Sequence, residues 1–323
     1  MVESEDMLIQ MVLLVLGFII LIKGADIFVD GASSVAGNFK VSKMLIGLTI
    51  VSFGTSAPEF AVSIKSIISH NHDIVLGNVI GSNILNILLI VGVSSMFHYL
   101  NVKNNTVKKE LPITLLITTL FSVLLMDSLF DSSHVNAFTR SDGVVVCLFF
   151  LVFVYYLFSK MRNKISDDTK EKYLPMWKAS IYTVGGIICI ILGSNFVVDA
   201  ASFIALSLGV SERMISLTII ALGTSLPELV TSVMATKKGE FDIAIGNVVG
   251  SNIFNIGIVV GIPIAIFGGI DHINFNYVDL FVMLLSAFLL FVFSFNDRKI
   301  TKYEGVLFLV LFLIYYSFVI YIG

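Results

Sequence analysis

Two six-residue motifs hold the polar residues best suited to chemistry in this 323-residue chain: GTSAPE at 54–59 and GTSLPE at 223–228. In each motif the threonine and serine stand four and three residues before the glutamate, so all three side chains share one helix face. The proline cannot donate to the glycine carbonyl four residues earlier, which frees backbone carbonyls near the glutamate. Carboxylate, hydroxyl and carbonyl oxygens are the ligands that hard cations such as Ca²⁺ and Na⁺ prefer. The motifs therefore predict a cation site centred on Glu59 and Glu228.

A second pair of motifs, GNVIGSNILN at 77–86 and GNVVGSNIFN at 246–255, adds further oxygen donors. The serine and the last asparagine of each motif lie one helical turn apart and can present a hydroxyl and an amide oxygen on a common face. We expect these residues to line the same site: Ser82, Asn86, Ser251 and Asn255. The other asparagines stay open between lining the site and holding helices together, which amides also do in membranes: Asn78, Asn83, Asn247 and Asn252.

The motif pairs belong to an internal repeat. Ile46–Gly92 aligns without a gap with Ile215–Gly261 at an offset of 169 residues, and 23 of the 47 positions are identical. Apolar helices can match by composition alone, but glycines, a proline and carboxylates are among the shared residues. The repeat therefore indicates a duplication.

The elements that carry these motifs are predicted to be membrane-spanning helices. The chain is 57% hydrophobic and only 13% charged, against about 25% charged in soluble proteins, and its mean hydropathy is +0.96. Apolar runs long enough to cross a hydrocarbon core of about 30 Å recur along the chain. We expect an all-α membrane protein with ten transmembrane helices, at about 7–29, 43–68, 74–97, 111–127, 143–159, 179–199, 213–236, 242–267, 277–295 and 303–322.

The spans divide into a first five-helix repeat at 1–160, a cytoplasmic linker at 161–178 and a second repeat at 179–323. Because five is odd, the second repeat enters the membrane from the opposite side, which is typical of secondary transporters with a midplane site between inverted repeats. A carboxylate at that depth is costly unless it is paired, protonated or bound to a cation. No basic residue lies deep in a nearby span to neutralise either glutamate. Lys23 and Asp26, three residues apart, are expected to form a local pair near the inner end of the first span.

Orientation follows from the basic residues. Sixteen of the 20 lysines and arginines fall in alternate loops, which marks that side as cytoplasmic and places both termini outside a cell membrane. The net charge of −3 gives no reason to expect a nucleic-acid partner. Cys147 and Cys189 both lie in apolar runs and are interpreted as packing residues. The chain is expected to work as a single protomer in the lipid bilayer.

The paired motifs resemble the alpha-repeats of the sodium/calcium exchanger family, in a prokaryotic-type member, and the resemblance covers the full length. It implies that Glu59 and Glu228 bind calcium together with the carbonyls of Thr55 and Thr224. It also implies three sodium ions exchanged for one calcium. The sodium sites that it implies use the motif serines and two further backbone carbonyls: Ser56, Ser225, Ser82, Ser251, Ser52 and Ala221.

Two features depart from the family. Many members have aspartate where this chain has Asn255, so the site charge here would rest on the two glutamates, and a potassium requirement is disfavoured. The site would be neutral with one calcium and +1 with three sodium ions. The linker also leaves no room for the large cytosolic calcium-sensing region of animal exchangers.

The function expected from these residues is secondary antiport of sodium and calcium by alternating access, in which the first and sixth spans slide across the site. Ca²⁺ and Na⁺ are cargo, and no cofactor is expected. A proton/calcium or other divalent-cation antiporter on the same fold stays open, as does a cation channel. The chain lacks HExxH, paired-aspartate and Ser–His motifs, so an enzyme is not expected.

Overall fold

The computed structural model describes residues 4–69, 71–130, 135–162, 173–210, 215, 218–219, 221–270 and 276–322. The elements of the first half are α1 (Ser4–Phe39), α2 (Lys43–Ile46), π1 (Gly47–Val51), α3 (Ser52–Thr55), α4 (Ala57–Ile68), α5 (His72–Leu85), π2 (Asn86–Val91), α6 (Gly92–Phe97), β1 (Leu100–Asn101), π3 (Thr106–Glu110), α7 (Leu111–Leu124), α8 (Asp127–Phe130) and α9 (Arg140–Arg162). Those of the second half are α10 (Met176–Ser207), α11 (Ala221–Thr224), α12 (Leu226–Lys237), α13 (Phe241–Phe254), π4 (Asn255–Val260), α14 (Gly261–Phe267), α15 (Tyr277–Asp297), β2 (Lys299–Ile300) and α16 (Lys302–Ile322).

Seven helical stretches of the described residues are long and apolar enough to cross a membrane, and the bent pair Lys43–Thr55 and Ala57–Ile68 makes an eighth if it counts as one span. These correspond to eight of the ten predicted spans. The predicted fourth span, 111–127, begins with α7 at Leu111. The predicted seventh span, 213–236, begins among residues outside the described part. The chain is therefore a multi-pass helical protein, and ten spans in two inverted repeats stay a prediction. Most of the predicted linker, 163–172, also lies outside the described residues.

The two longest helices exceed their predicted spans. α1 has 36 residues and α10 has 32, because charged residues end a hydropathy run without ending helical hydrogen bonding. At 1.5 Å per residue α1 reaches about 54 Å, so it must tilt or project beyond a hydrocarbon core of about 30 Å. It stops just before Lys40, which adopts a left-handed φ of 56°.

A glycine seam joins α1 to α10 along their length. A Cβ atom at Gly31 would lie 2.6 Å from the backbone nitrogen of Thr183, and one at Gly186 would lie 2.6 Å from Cβ of Phe28. Such distances are too short for any side chain, so the seam depends on glycine. The two helices therefore pack backbone to backbone as one unit.

Ion pairs tie this unit to the rest of the protein. Lys238, just after α12, places Nζ 2.8 Å from Oδ1 of Asp26 and 2.6 Å from Oδ1 of Asp30. The prediction that Lys23 pairs with Asp26 is therefore wrong. Local spacing proposed that pair, but a lysine brought close by tertiary packing takes its place.

The centre of the molecule is formed by α5 with π2 and by α13 with π4. Every residue from Ile243 to Phe254 is buried, so α13 is surrounded by protein and not by lipid. Its glycine face meets the first half directly: a Cβ at Gly246 would lie 2.9 Å from Cα of Gly47. A two-stranded antiparallel ribbon, β1 with β2, links the end of α6 to the end of α15. These central helices are the scaffold for the polar motifs.

Candidate cation-binding site

Each six-residue motif forms a break in its helix. α3 ends at Thr55 and α4 begins at Ala57, with Ser56 between them at φ −84° and ψ 7°. The proline two residues later supplies no N–H, and the helix axis bends by 47°. Ser225 occupies the same position between α11 and α12, at φ −88° and ψ 2°. Local sequence therefore places each serine at a helix break, with its glutamate in the first turn of the next helix.

The two glutamates are buried, and their hydrogen bonds cross between the repeats. Glu59 and Glu228 are each 1% exposed. Ser56 Oγ donates to Glu228 Oε1 at 2.8 Å, and Ser225 Oγ donates to Glu59 Oε1 at 3.5 Å. Each carboxylate is thus served by the serine of the other repeat. The two motifs therefore meet in one buried polar cluster.

The central helices complete the surroundings of the carboxylates. Ser225 Oγ lies 3.4 Å from Ser82 Oγ, which connects the second break to α5. Asn86 begins π2 and Asn255 begins π4. A π-turn inside an α-helix is uncommon and often marks a functional position. Both asparagines are 1% exposed, at the same place in each repeat.

Half of the ten buried side-chain oxygens that lack a hydrogen-bond partner in the described part of the chain belong to predicted site residues. A buried polar atom left unpaired costs about 1–3 kcal/mol, and a charged one costs more. Among the described residues, neither glutamate has an ion-pair partner. The unpartnered atoms from the predicted set are Glu59 Oε2, Glu228 Oε2, Asn86 Oδ1, Asn255 Oδ1 and Ser251 Oγ. All five are oxygens, which is the donor set of a hard cation.

The remaining predicted residues are less directly connected. Thr55 Oγ1 lies 3.1 Å from the carbonyl oxygen of Val51 and 3.0 Å from Asn247 Oδ1, so its single proton is engaged by one of these two acceptors. Ser52 is buried and packs against Gly250. Thr224 is half-buried at the end of α11, and its side chain interacts with the carboxylate of Glu59. Ala221 begins α11, and its side chain lies outside the described part of the chain.

The residues left open by the sequence include a matched pair that supports the glutamates. Asn78 Nδ2 donates to the backbone carbonyl of Glu59 at 3.1 Å, and Asn247 Nδ2 donates to that of Glu228 at 3.4 Å. Each also donates to a serine of the same repeat, Ser63 at 3.2 Å or Ser232 at 3.0 Å. These asparagines hold the central helices to the helices that carry the glutamates.

One contact was missed by the sequence. Ser194 on α10 donates to the carbonyl of Gly223 at 3.0 Å. Pro227 cannot donate to that carbonyl, so the hydroxyl takes over the missing bond. The repeat gives no signal for Ser194, because its counterpart is Ala25.

Comparison with known proteins identifies the class. The profile of the family described as sodium/calcium exchanger protein matches residues 9–159 and 178–321. The putative antiporter CaxA of Alkalimonas amylolytica is 36% identical, over 96% of this chain and 98% of its own length. The sodium/calcium exchanger MaX1 of Methanosarcina acetivorans is 32% identical, over 97% of this chain and 98% of its own.

Comparison with solved structures leads to the same class of protein. A structure of the sodium-calcium exchanger NCX_Mj, from a crystal soaked with Na⁺ and Sr²⁺, matches with a TM-score of 0.83 and 31% identity, over 95% of this chain and 98% of that chain. The fold and the comparisons together define a membrane cation antiporter. The chain belongs to the sodium/calcium exchanger family.

Proposed function

We propose that this protein exchanges sodium for calcium through a single site that the two repeats share. The observation that carries the proposal is a set of five buried oxygens without hydrogen-bond partners, which belong to the two glutamates and to Ser251, Asn86 and Asn255. Oxygen atoms that lack hydrogen-bond donors are stabilised when a cation enters. The names of MaX1 and NCX_Mj support sodium and calcium as the ions.

We assign calcium to the two carboxylates and to the backbone carbonyls of Thr55 and Thr224. Sodium ions use the same centre together with hydroxyl, amide and carbonyl oxygens around it: Ser56, Ser225, Ser82, Ser251, Asn86, Asn255, Ser52 and Ala221. The architecture that goes with this assignment has ten spans in two inverted repeats, 1–160 and 179–323, with both termini outside. One protomer holds the whole site.

The charge of the site gives the sign of the current. With Asn255 neutral, two glutamates supply −2, so one Ca²⁺ leaves the site neutral and three Na⁺ leave it at +1. Exchange of three sodium ions for one calcium moves one net positive charge in the direction of sodium. Calcium uptake into sodium-loaded vesicles is therefore accelerated by an inside-positive potential.

Alternating access is supported by the position of α10. A Cβ at Gly54 would lie 2.7 Å from Cδ1 of Ile187, and one at Gly223 would lie 2.3 Å from Cγ2 of Val198. One long helix thus covers both motif breaks. A shift of α1 and α10 along this surface would expose one break and cover the other.

The test is calcium uptake by sodium-loaded proteoliposomes of the full chain, without potassium and with pH clamped on both sides. We expect labelled calcium to enter only while sodium is higher inside, and a sodium ionophore to stop it. Uptake driven by a pH gradient without sodium would identify a proton/calcium antiporter instead. Uptake that persists without any counter-ion would identify a channel.

A further inference from the structure

Four asparagines form a crossed cluster where the two repeats meet, and each is at most 2% exposed. Asn86 Nδ2 donates to Asn252 Oδ1 at 2.9 Å, and Asn255 Nδ2 donates to Asn83 Oδ1 at 3.1 Å. Asn252 Nδ2 in turn donates to the backbone carbonyl of Asn83 at 3.3 Å. The reciprocal bond, from Asn83 Nδ2 to the carbonyl of Asn252, is 3.4 Å.

This pattern fixes the direction of every amide in the cluster. A side-chain amide has a donating end and an accepting end, and a backbone carbonyl can only accept. The Nδ2 group of Asn252 is held by such a carbonyl, so its Oδ1 must face Asn86. Asn86 must then offer Nδ2 to that oxygen, which leaves its own Oδ1 without a partner. The same sequence of bonds runs from Asn83 to Asn255.

We propose that Asn83 and Asn252 are positioning residues that set which end of Asn86 and Asn255 faces the cation. The inference rests on the proposed function, because it takes these two oxygens to be ligands. Without Asn252, the Asn86 amide loses its fixed acceptor and can turn its NH₂ group toward the ions. An NH₂ group facing a cation repels it, whereas an amide oxygen binds it.

The cluster also bears on the charge at position 255. The atom that faces Asn255 is an acceptor, Asn83 Oδ1. An ionised carboxylate at position 255 would set two acceptors against each other, whereas an amide can donate. The cluster therefore favours a neutral, donating side chain at this position, and the two glutamates keep the whole negative charge of the site.

The experiment is a double-mutant cycle in reconstituted full-length protein, reading the apparent KM for calcium and for sodium separately from the maximal rate. We expect Asn252→Leu to raise the apparent KM of at least one ion about tenfold, while the maximal rate stays within about twofold. Asn252→Ser, whose hydroxyl can accept and donate, should recover part of the loss. Asn195→Leu on α10, an exposed asparagine, is the matched control and should change neither value.

The crossed pattern separates positioning from packing. Asn252→Leu combined with Asn86→Leu should be no worse than Asn86→Leu alone, whereas combined with Asn255→Leu the effects should add. Asn83→Leu should be no worse than Asn255→Leu alone when the two are combined, and its effect should add to that of Asn86→Leu. Equal coupling to both partners, or no KM change in either single variant, would overturn the positioning proposal. If Asn86→Leu and Asn255→Leu themselves change no KM, the proposed ligand set fails instead.

Discussion

The helices that carry the polar motifs and the α1–α10 pair are built in opposite ways. The helices with the six-residue motifs break at Ser56 and Ser225, and the central helices contain π-segments. These helices carry buried carboxylates, hydroxyls and amides. The α1–α10 pair is long and continuous, and its contact surface depends on glycine. The irregular backbone occurs where oxygen atoms must be presented, whereas the smooth surface occurs where two helices must stay together. In the proposed mechanism, binding and movement would therefore belong to different parts of the molecule.

The largest expected effect on calcium uptake comes from the two glutamates in the helices that carry the polar motifs. Glu59→Gln and Glu228→Gln should each lower sodium-driven calcium uptake at least about 100-fold, because each removes a charged ligand from a buried site. Asp199→Asn, an exposed carboxylate on α10, is the control and should retain uptake. Calcium should raise the melting temperature of the control protein but not of the two glutamine variants. Near-normal uptake in either glutamine variant would break the assignment.

An intermediate effect is expected in the glycine seam. A Cβ at Gly186 would lie 2.6 Å from Phe28 Cβ, whereas a Cβ at the neighbouring Gly185 has no atom of the described residues within 4 Å. Gly186→Ala should therefore reduce the free energy of unfolding by about 1–3 kcal/mol, and Gly185→Ala should leave it almost unchanged. Denaturant titration of the purified protein measures both. Calcium should stabilise both variants equally, and a lost calcium effect in Gly186→Ala would mean that the pair also shapes the site.

The smallest effect on stability and transport is expected at the ion pairs that join the α1–α10 pair to the rest of the protein. Lys238→Gln removes the ion pairs with Asp26 and Asp30 on α1, whereas Lys103→Gln removes a pair with Asp242 at the start of α13. Each should cost less than about 1 kcal/mol of stability, because these pairs are partly exposed. Only Lys238→Gln should change the rate of uptake, and about 1 M salt should abolish the difference. Equal rate changes in both variants would show that α1 is not specifically held by Lys238.

Much of the arrangement of the candidate site could be predicted from the sequence, because the duplication repeats its polar residues at a constant offset. The proline in each motif predicts the bend, and the shared carboxylates predict a common centre. The roles of Asn83 and Asn252 could not be predicted, since an asparagine's composition and spacing do not show which end of its amide is used. Ser194 has no repeat counterpart and left no pattern to find.

The fold was less completely predicted at helix ends. Hydropathy locates the apolar part of a helix, but α1 continues through Asp26 and Asp30 to Phe39 because nothing there interrupts its hydrogen bonds. The π-segments likewise have no distinct composition. They become visible only when neighbouring helices fix the backbone.

The crossing of serines and glutamates has a consequence for how the protein can change over generations. Ser56 and Glu228 are 172 residues apart in the chain, yet they share one hydrogen bond. A substitution of the serine in one copy of the motif therefore removes a hydrogen bond from the glutamate of the other copy. A compensating substitution must then arise in a distant part of the gene. The lipid-facing residues of the two copies can change independently, whereas the residues that contact each other at the centre must change together.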